Sequence, residues 1–219
     1  MRGRLGFRPA MARDANALAS LVLASGEQEF QFLFDDVNAA CEDFLAYAIA
    51  TPNGRFSWRR HYVATVDDAP VAVMAIQDGR AGWLDDPVAA GQFLRYFGAR
   101  RTAGIIRRGL LLEREIPKPS RHETLMAHCA THPDLRGSGV FRALFQQVIE
   151  TNRLPASAGQ ALVLDVLKHN TRAAALYRRL GFVVATCNRP SPRGLPTSLA
   201  ADRMIFIHCA ENGRKTGAA

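Results

Sequence analysis

A glycine loop between a predicted strand and a predicted helix constrains the fold of this chain more than any other feature. The sequence THPDLRGSGVFRALFQQ covers residues 131–147, and its RGSG segment lies directly before an amphipathic stretch. Glycine lets the backbone turn sharply, and the first amides of a helix have no partner inside it. Unpaired N–H groups at the positive end of a helix dipole favour a phosphate. The loop therefore predicts an anion site at a strand-to-helix junction, with an ordinary turn as the alternative.

A second stretch, NTRAAALYRRLGF over residues 170–182, strengthens this interpretation. Asn170, Ala173 and Tyr177 are spaced by three and four residues, so their side chains share one stripe of a helix that Gly181 would end. No G-K-[ST] follows the first loop, which argues against a nucleotide-binding P-loop. A pyrophosphate cradle beside a stripe that ends in a tyrosine hydroxyl predicts a site for coenzyme A.

Length and composition limit the class of protein. The 219 residues, 48% of them hydrophobic, suffice for a buried core, and we expect one domain over residues 1–210 with a disordered tail at 211–219. No apolar run reaches about eighteen residues, and no apolar block follows the N-terminal arginines, so we predict neither a membrane span nor a secretion signal. The histidine spacing predicts no metal site. Cysteines without C-x-x-C spacing indicate reduced thiols in a cytoplasmic protein; they are Cys41, Cys129, Cys187 and Cys209.

The net charge of +8 is concentrated in one part of the chain. Residues 95–121 hold eight basic side chains against two acidic ones. They overlap a segment, residues 83–119, that we predict to be helical. Breaks in this helical segment are expected near its glycines at 98, 104 and 109. A basic segment can attract an anionic cofactor, an acidic partner or nucleic acid, and a solvated helix face explains it equally well. Few aromatic residues interleave the arginines, so we do not expect nucleic-acid binding.

Hydrophobic patterning predicts the remaining elements. Apolar residues at helical spacing predict a first helix around Leu18 to Val22 and a second, longer one that runs from Phe30 through Val37 to Ala48. Strands are predicted from apolar or alternating runs at residues 4–9, 61–66, 70–76, 123–131, 160–167, 182–186 and 203–209, the second and third of them forming a hairpin.

Both motifs resemble the signatures of the GCN5-related N-acetyltransferase (GNAT) superfamily. Arg136 and Gly139 meet the pyrophosphate signature R/Q-x-x-G-x-G/A, although Phe141 replaces its final small residue. The signature N-x-x-A-x-x-L-Y-x-x-x-G-F is met in full from Asn170 to Phe182. The resemblance spans about residues 123–186 and implies an α/β fold. Its sheet would be mixed, mostly antiparallel and twisted, with a splayed central strand pair and flanking helices, and the helical insert would precede the cofactor-binding strand.

The resemblance also implies a site for acetyl-CoA as co-substrate. The main chain of one strand would pair with the pantetheine arm, the loop amides would hold the pyrophosphate, and Tyr177 would return a proton to the departing thiolate. The alternative for Tyr177 is a packed aromatic ring whose hydroxyl finds a structural partner. The cofactor-binding residues implied are Ala130, Thr131, Arg136, Gly137, Ser138, Gly139, Val140, Phe141, Asn170, Ala173 and Tyr177.

The sequence identifies the general base less sharply than the cofactor residues. Glu123 and His128 lie on the strand where the family often keeps a base, and alternation puts them on opposite faces unless a bulge intervenes. We predict Glu123 as the catalytic base together with Tyr177 as the acid, with His128 as the alternative. A merely structural role, as an exposed strand end or a half-buried histidine, is open for each.

The function predicted from these observations is transfer of an acetyl group from acetyl-CoA to a primary amine of a small molecule or peptide. Direct attack in a ternary complex is expected, because no cysteine or serine stands in an evident nucleophile arrangement. The alternatives are a catalytically idle acyl-CoA-binding or regulatory module and, through residues 95–121, a nucleic-acid-binding protein. A homodimer is consistent with the apolar residues of the insert, and the sequence does not identify the acceptor.

Overall fold

One sheet and the helices on its two faces make up the described part of the molecule. The computed structural model describes residues 3–35, 39–80, 85–151, 160–185 and 192–207. The strands are β1 (Leu5–Pro9), β2 (His61–Val66), β3 (Ala69–Asp78), β4 (Glu123–Thr131), β5 (Ala161–Leu167), β6 (Phe182–Val184) and β7 (Ala201–Phe206). The α-helices are α1 (Ala15–Ser25), α2 (Glu27–Phe34), α3 (Ala39–Ala50), α4 (Asp85–Leu112), α5 (Val140–Glu150) and α6 (Thr171–Arg179).

The sheet is mixed, and its one parallel pair opens along its length. The strand order is β1-β2-β3-β4-β5-β7-β6, with every neighbouring pair antiparallel except β4 and β5. The parallel pairing covers residues 123–125 and 161–163, although β4 continues to Thr131 and β5 to Leu167. Beyond that point β4 stays bonded to β3, and β5 stays bonded to β7. The predicted fold class, with its splayed central pair and flanking helices, is confirmed.

The hairpin of β2 and β3 follows from its turn residues. Asp67 and Asp68 join the strands with φ values of 50° and 67°. A two-residue hairpin loop with both central residues at positive φ matches the twist of the flanking strands, and aspartate tolerates this conformation. The Asp67 carboxylate also accepts a hydrogen bond from the backbone N–H of Arg4, 2.9 Å away, which fastens the turn to the β1 side of the sheet.

Alternating side chains of the sheet supply two separate cores. Val63 and Val73 belong to a core shared with helices α1 to α4, in which Phe44 of α3 and Phe93 of α4 stack with ring centroids 4.9 Å apart. Side chains of the opposite parity, such as Met74, join the second core, which α5 and α6 complete. This period-two alternation is what a sheet covered on both faces requires.

Two helix predictions need correction. The longer helix expected from Phe30 to Ala48 is two helices, because α2 ends at Phe34 and the next residue, Asp35, has a φ of 58° that cannot continue a helix. The position Val37 lies outside the described residues. In the insert, the predicted break near Gly98 is present, since its φ of 74° and ψ of 170° are not helical and divide α4 into two segments, whereas the breaks expected near Gly104 and Gly109 are absent. Burial of α4 side chains against the first core outweighs the small helix cost of a single glycine.

The ends of the insert and of the chain are described only in part. Trp83 at the start of the predicted insert, the predicted tail at 211–219, and Cys187 and Cys209 all lie outside the described residues. Cys41 and Cys129 are free thiols. Within the described ranges, none of the helices combines the length and the apolar character that crossing a bilayer requires.

Candidate active site

The gap between the diverging strands β4 and β5 forms a cleft of about 530 Å³. Cys129, Ala130 and Thr131 line one wall, and residues 165–167 of β5 line the other. The glycine loop and the first residues of α5 close one end, and α6 closes another. Ten of the eleven residues predicted for the cofactor, all except Ser138, line this one cleft.

The glycine loop offers a set of free backbone donors to the cleft. In the described chain, no backbone acceptor is bonded to the amides of Gly137, Gly139, Val140, Phe141 or Arg142. Gly139 is the N-cap of α5 with φ 87°, and a Cβ added there would meet no atom within 4 Å. Phe141 turns its ring into the second core. The large residue that replaces the small one of the signature therefore does not fill the loop. The loop can therefore accept a group that takes several N–H bonds at once, as a pyrophosphate does.

Two loop residues stabilise the loop itself. Ser138 donates both its backbone N–H and its hydroxyl to the carbonyl oxygen of Leu135, at 3.2 and 2.6 Å, which turns Ser138 away from the cleft. Arg136 donates its Nε–H to the carbonyl oxygen of Thr131 at 3.3 Å and lines the cleft with the rest of its side chain. The cleft also carries three arginines that sequence reasoning did not single out: Arg142, Arg172 and Arg179. Their positive charge suits the phosphates of an acyl-CoA.

The asparagine of the second motif has a structural role at the start of α6. Asn170 is the N-cap of this helix, and its Oδ1 accepts a hydrogen bond from the backbone N–H of Ala173 at 3.1 Å. An N-cap side chain satisfies one of the otherwise unpaired donors of the first turn. Asn170 and Ala173 therefore fix the direction in which α6 leaves the cleft, and that direction determines where Tyr177 lies.

Tyr177 lies at the inner end of the cleft beside a cysteine. Its ring packs in the second core, 6.1 Å from the ring of Phe182, and its hydroxyl lies beside the thiol of Cys129. Burial raises the pKa of the Tyr177 phenol well above its usual value of 10.0, so the hydroxyl keeps its proton at neutral pH. Burial also raises the pKa of the Cys129 thiol to about 12. Sequence reasoning missed this cysteine as a neighbour of Tyr177.

A second cavity, of about 340 Å³, adjoins the cleft along β4. Leu125, Ala127 and His128 of β4 line it, and the end of α4 with the chain that follows, residues 112–113 and 116–119, forms another wall. Its remaining walls include Phe30 of α2 and Phe56. We call it the acceptor cavity, after the substrate that we propose it binds. The insert borders this cavity.

A β-bulge marks the boundary between the cleft and the acceptor cavity. His128 and Cys129 of β4 stand opposite the single residue Met74 of β3, and His128 has φ 52°. The extra residue shifts the side-chain alternation of β4, so that His128 lines the acceptor cavity and Cys129 lines the cofactor cleft. The bulge that the sequence left open as an alternative is present.

His128 is held by a second histidine. The Nδ1 of buried His61 lies 2.9 Å from the carbonyl oxygen of Ser57, and its Nε2 lies 3.0 Å from Nδ1 of His128. A carbonyl oxygen only accepts, so His61 donates from Nδ1, and His128 then donates its own Nδ1–H to His61. Burial lowers the pKa of His61 to about 4 and, with the charges of His61 and Arg55, lowers the pKa of His128 well below 6.5. Both rings are neutral near pH 7, which leaves Nε2 of His128 as an acceptor.

Glu123 is not brought together with these residues. It lies at the start of β4, where its carboxylate is 3.4 Å from Nη1 of Arg203 and accepts a hydrogen bond from the backbone N–H of Ser120 at 2.8 Å. Among the described residues that line the cleft and the acceptor cavity, Glu123 does not appear. Its catalytic role stays a prediction from the sequence.

We expect Gly139→Val to weaken acetyl-CoA binding at least tenfold, about 1.4 kcal/mol or more. A side chain at this position projects into open space beside the free amides, and a positive φ is costly for a β-branched residue. Calorimetry with acetyl-CoA measures the effect, and Gly91→Val on α4, where a Cβ also meets nothing, is the matched control. Unchanged affinity in a folded Gly139→Val protein would show that the loop does not bind acetyl-CoA.

A further expectation concerns the arginines of the insert. Arg108 donates its Nε–H to the carbonyl oxygen of Leu33 at 2.8 Å, and the guanidinium of Arg101 lies 4.9 Å from the ring centroid of Phe97. Reversing the charge at Arg100, Arg101, Arg107 and Arg108 should change the oligomeric mass or the KM for the acceptor, as measured by sedimentation and steady-state rates. Duplex DNA should bind weakly at ~150 mM salt, since charge alone reaches only about 10⁻⁴–10⁻⁶ M. Nanomolar, sequence-selective gel shifts would contradict this.

Comparison with known proteins identifies relatives in fold and family. The chain matches the model of the Acetyltransferase (GNAT) family over residues 30–182, which is more than half of its length. No curated protein matches the chain.

Solved structures match nearly the whole chain. One, an acetyltransferase, is 20% identical and covers 91% of this chain and 97% of its own, with a TM-score of 0.64. An N-acetyltransferase from Staphylococcus aureus Mu50 is 16% identical, with 92% and 100% covered and a TM-score of 0.65. An acetyltransferase from Thermus thermophilus is 13% identical, with 94% and 98% covered and a TM-score of 0.52. At these identities the likeness shows the fold.

Proposed function

Because the chain belongs to the GNAT acetyltransferase family, we propose that it transfers an acetyl group from acetyl-CoA to a primary amine. The observation that carries this proposal is the cleft between β4 and β5, which joins free loop amides, four arginines and the Tyr177 hydroxyl in one space. The amides and arginines suit the phosphates of the co-substrate. The open edge of β4 at Ala130 and Thr131 suits the amides of a pantetheine arm, which can pair with a strand. Acetyl-CoA, when bound, supplies the thioester whose acetyl group is transferred.

Tyr177 is the proposed general acid. Its hydroxyl is protonated, buried and directed at the thiol of Cys129, at the inner end of the cleft. A thiol titrates near ~8.5, so a proton donor beside the leaving sulfur helps it depart near neutral pH. Asn170 contributes by capping α6 and so positioning Tyr177.

Direct attack of the amine is favoured over an acetyl-cysteine route. Cys129 is the thiol nearest this chemistry, but a thiolate is the nucleophilic form, and a thiol with a pKa of about 12 is protonated at neutral pH. Glu123, predicted from the sequence, and His128, whose Nε2 is an acceptor at the acceptor cavity, are both candidates for the base. We propose a cytoplasmic setting, in which thiols such as Cys41 and Cys129 stay reduced.

The experiment that tests the proposal follows free thiol release from acetyl-CoA with polyamines, aminoglycosides, amino acids and peptides as acceptors. Amine-dependent thiol release, reduced by Gly139→Val, supports an N-acetyltransferase. The competing candidate is an idle acyl-CoA-binding module. It predicts a rise in melting temperature with acetyl-CoA but no amine-dependent thiol release with any acceptor.

A further inference from the structure

Two residues that line the acceptor cavity each carry one buried polar atom without a hydrogen-bond partner. One of them, Arg55, is otherwise ion-paired, since its Nη2 lies 3.3 Å from Asp86 and 3.8 Å from Glu113. The Oε2 atom of Glu29 and the Nε atom of Arg55 are buried without a hydrogen bond in the described structure. An unpaired buried donor or acceptor costs free energy, and the cost is greater for charged groups. A ligand that supplies a donor to Glu29 and an acceptor to Arg55 would remove both costs.

Glu29 lies between the cofactor cleft and the acceptor cavity. Among the described residues, it alone lines both the cofactor cleft and the acceptor cavity, from α2 opposite the bulge of β4. Burial raises the pKa of its carboxyl group above the usual value of 4.5. An ammonium group held by this carboxylate would therefore stand at the opening through which the acetyl group must be reached.

The other charges of the acceptor cavity already have partners. Asp78 pairs with Arg80 at 3.1 Å, Asp85 with Arg60 at 2.8 Å, and Glu113 with Lys118 at 3.1 Å. Asp86 pairs with both Arg55 and Lys118. These pairs largely neutralise one another, which leaves Glu29, whose Oε2 is unpaired, as the carboxylate available to a cation. The rest of the lining is mainly apolar, including Phe30, Leu33, Phe56, Leu112, Ile116 and Leu125.

We propose that the acceptor is a primary amine on an apolar body with an oxygen acceptor close to the amino group, as in an amino acid or a peptide N-terminus. Glu29 binds the ammonium, the Nε–H of Arg55 donates to the carbonyl or carboxylate oxygen, and the apolar walls take the side chain. A cavity of about 340 Å³ is within the size range of small-molecule sites. This inference rests on the proposed function and names its substrate class.

The same placement gives Glu29 a role in proton transfer. Its carboxylate takes one proton from the ammonium, and the freed nitrogen lone pair forms the C–N bond to the acetyl carbonyl carbon. The C–S bond breaks, and Tyr177 gives the leaving sulfur a proton. The second proton that the nitrogen loses replaces the one lost by Tyr177. An amide and a free thiol result, with Glu29 returning its proton to solvent.

The test compares two amines that share an apolar body, leucinamide and 3-methylbutylamine, by calorimetry on the complex of the enzyme with CoA, where no transfer occurs. Leucinamide should bind at least tenfold more tightly, because it alone offers an oxygen to Arg55. Glu29→Gln should weaken both amines at least tenfold. Arg55→Lys should weaken leucinamide alone and remove its advantage. Leucine and Leu-Gly-Gly, compared in the same way, distinguish a free amino acid from a peptide N-terminus.

Matched variants keep the result interpretable. Glu27→Gln, on the same helix, and Arg59→Lys, close to Arg55 in sequence, alter exposed side chains that line neither cavity and should leave binding unchanged. Equal binding of the two amines, or native binding by a folded Glu29→Gln protein, would overturn the proposal. So would thiol release that Glu123→Gln abolishes and Glu29→Gln preserves. If no amine releases thiol, the proposed function itself fails, whereas acetylation of polyamines alone would refute only this inference.

Discussion

Tyr177→Phe should lower turnover by roughly 10²–10⁴-fold while acetyl-CoA affinity changes only a few-fold, because general acid catalysis typically contributes that much. The ring that packs against Phe182 is retained, and only the hydroxyl that faces Cys129 is lost. Thiol release at saturating acetyl-CoA measures turnover, and calorimetry measures affinity.

Tyr47→Phe is the matched control for this experiment. Tyr47 is a partly buried tyrosine of α3 that packs on the first core and lines neither the cofactor cleft nor the acceptor cavity. It should keep native turnover. A wild-type rate in Tyr177→Phe would mean that water or another group protonates the sulfur and that Tyr177 serves only in packing.

Acid should destabilise the protein through His61 by about 3 kcal/mol between pH 7.5 and pH 4. His61 is fully buried with a pKa of about 4, against 6.5 in the unfolded chain. The unfolded state therefore binds more protons in this window, so the contribution of His61 is complete above pH 6.5 and is lost as the pH falls toward 4. His128, whose pKa is also lowered, adds an effect of the same sign.

Urea unfolding at several pH values measures this loss, and His61→Gln provides the comparison because glutamine does not titrate. The variant is expected to be less stable at pH 7.5 but to lose less stability on acidification. If native protein and His61→Gln lost equal amounts between pH 7.5 and pH 4, the acid sensitivity would come from other groups.

The cofactor side of this site could be predicted from the sequence because local backbone chemistry creates it. Gly139 at positive φ, the free amides of α5 and the Asn170 cap all depend on residues within one turn of each other. The boundaries of β4 agree with the predicted strand at 123–131 for the same reason. Ser138 is the exception, because a hydrogen bond to Leu135 decides where its amide points.

The acceptor side could not be predicted in this way. Four of its polar residues come from separate parts of the chain, and only tertiary packing brings them together. They are Glu29 of α2, Arg55 of the segment that follows α3, His61 of β2 and His128 of β4. The positive φ of His128 has no glycine or asparagine to signal it. It is supported by the ring of Phe56, stacked 5.5 Å away, and by the bond to His61. The continuity of α4 through Gly104 similarly depends on a buried contact, at Ile105.

The bulge of β4 also has a consequence for the place where two bound molecules could meet. The extra residue makes the consecutive residues Ala127 and His128 line the same cavity, and the change from the acceptor cavity to the cofactor cleft falls between His128 and Cys129. If the proposed function holds, thioester and amine would meet at this pair of residues, where one strand passes from the wall of one cavity to the wall of the other.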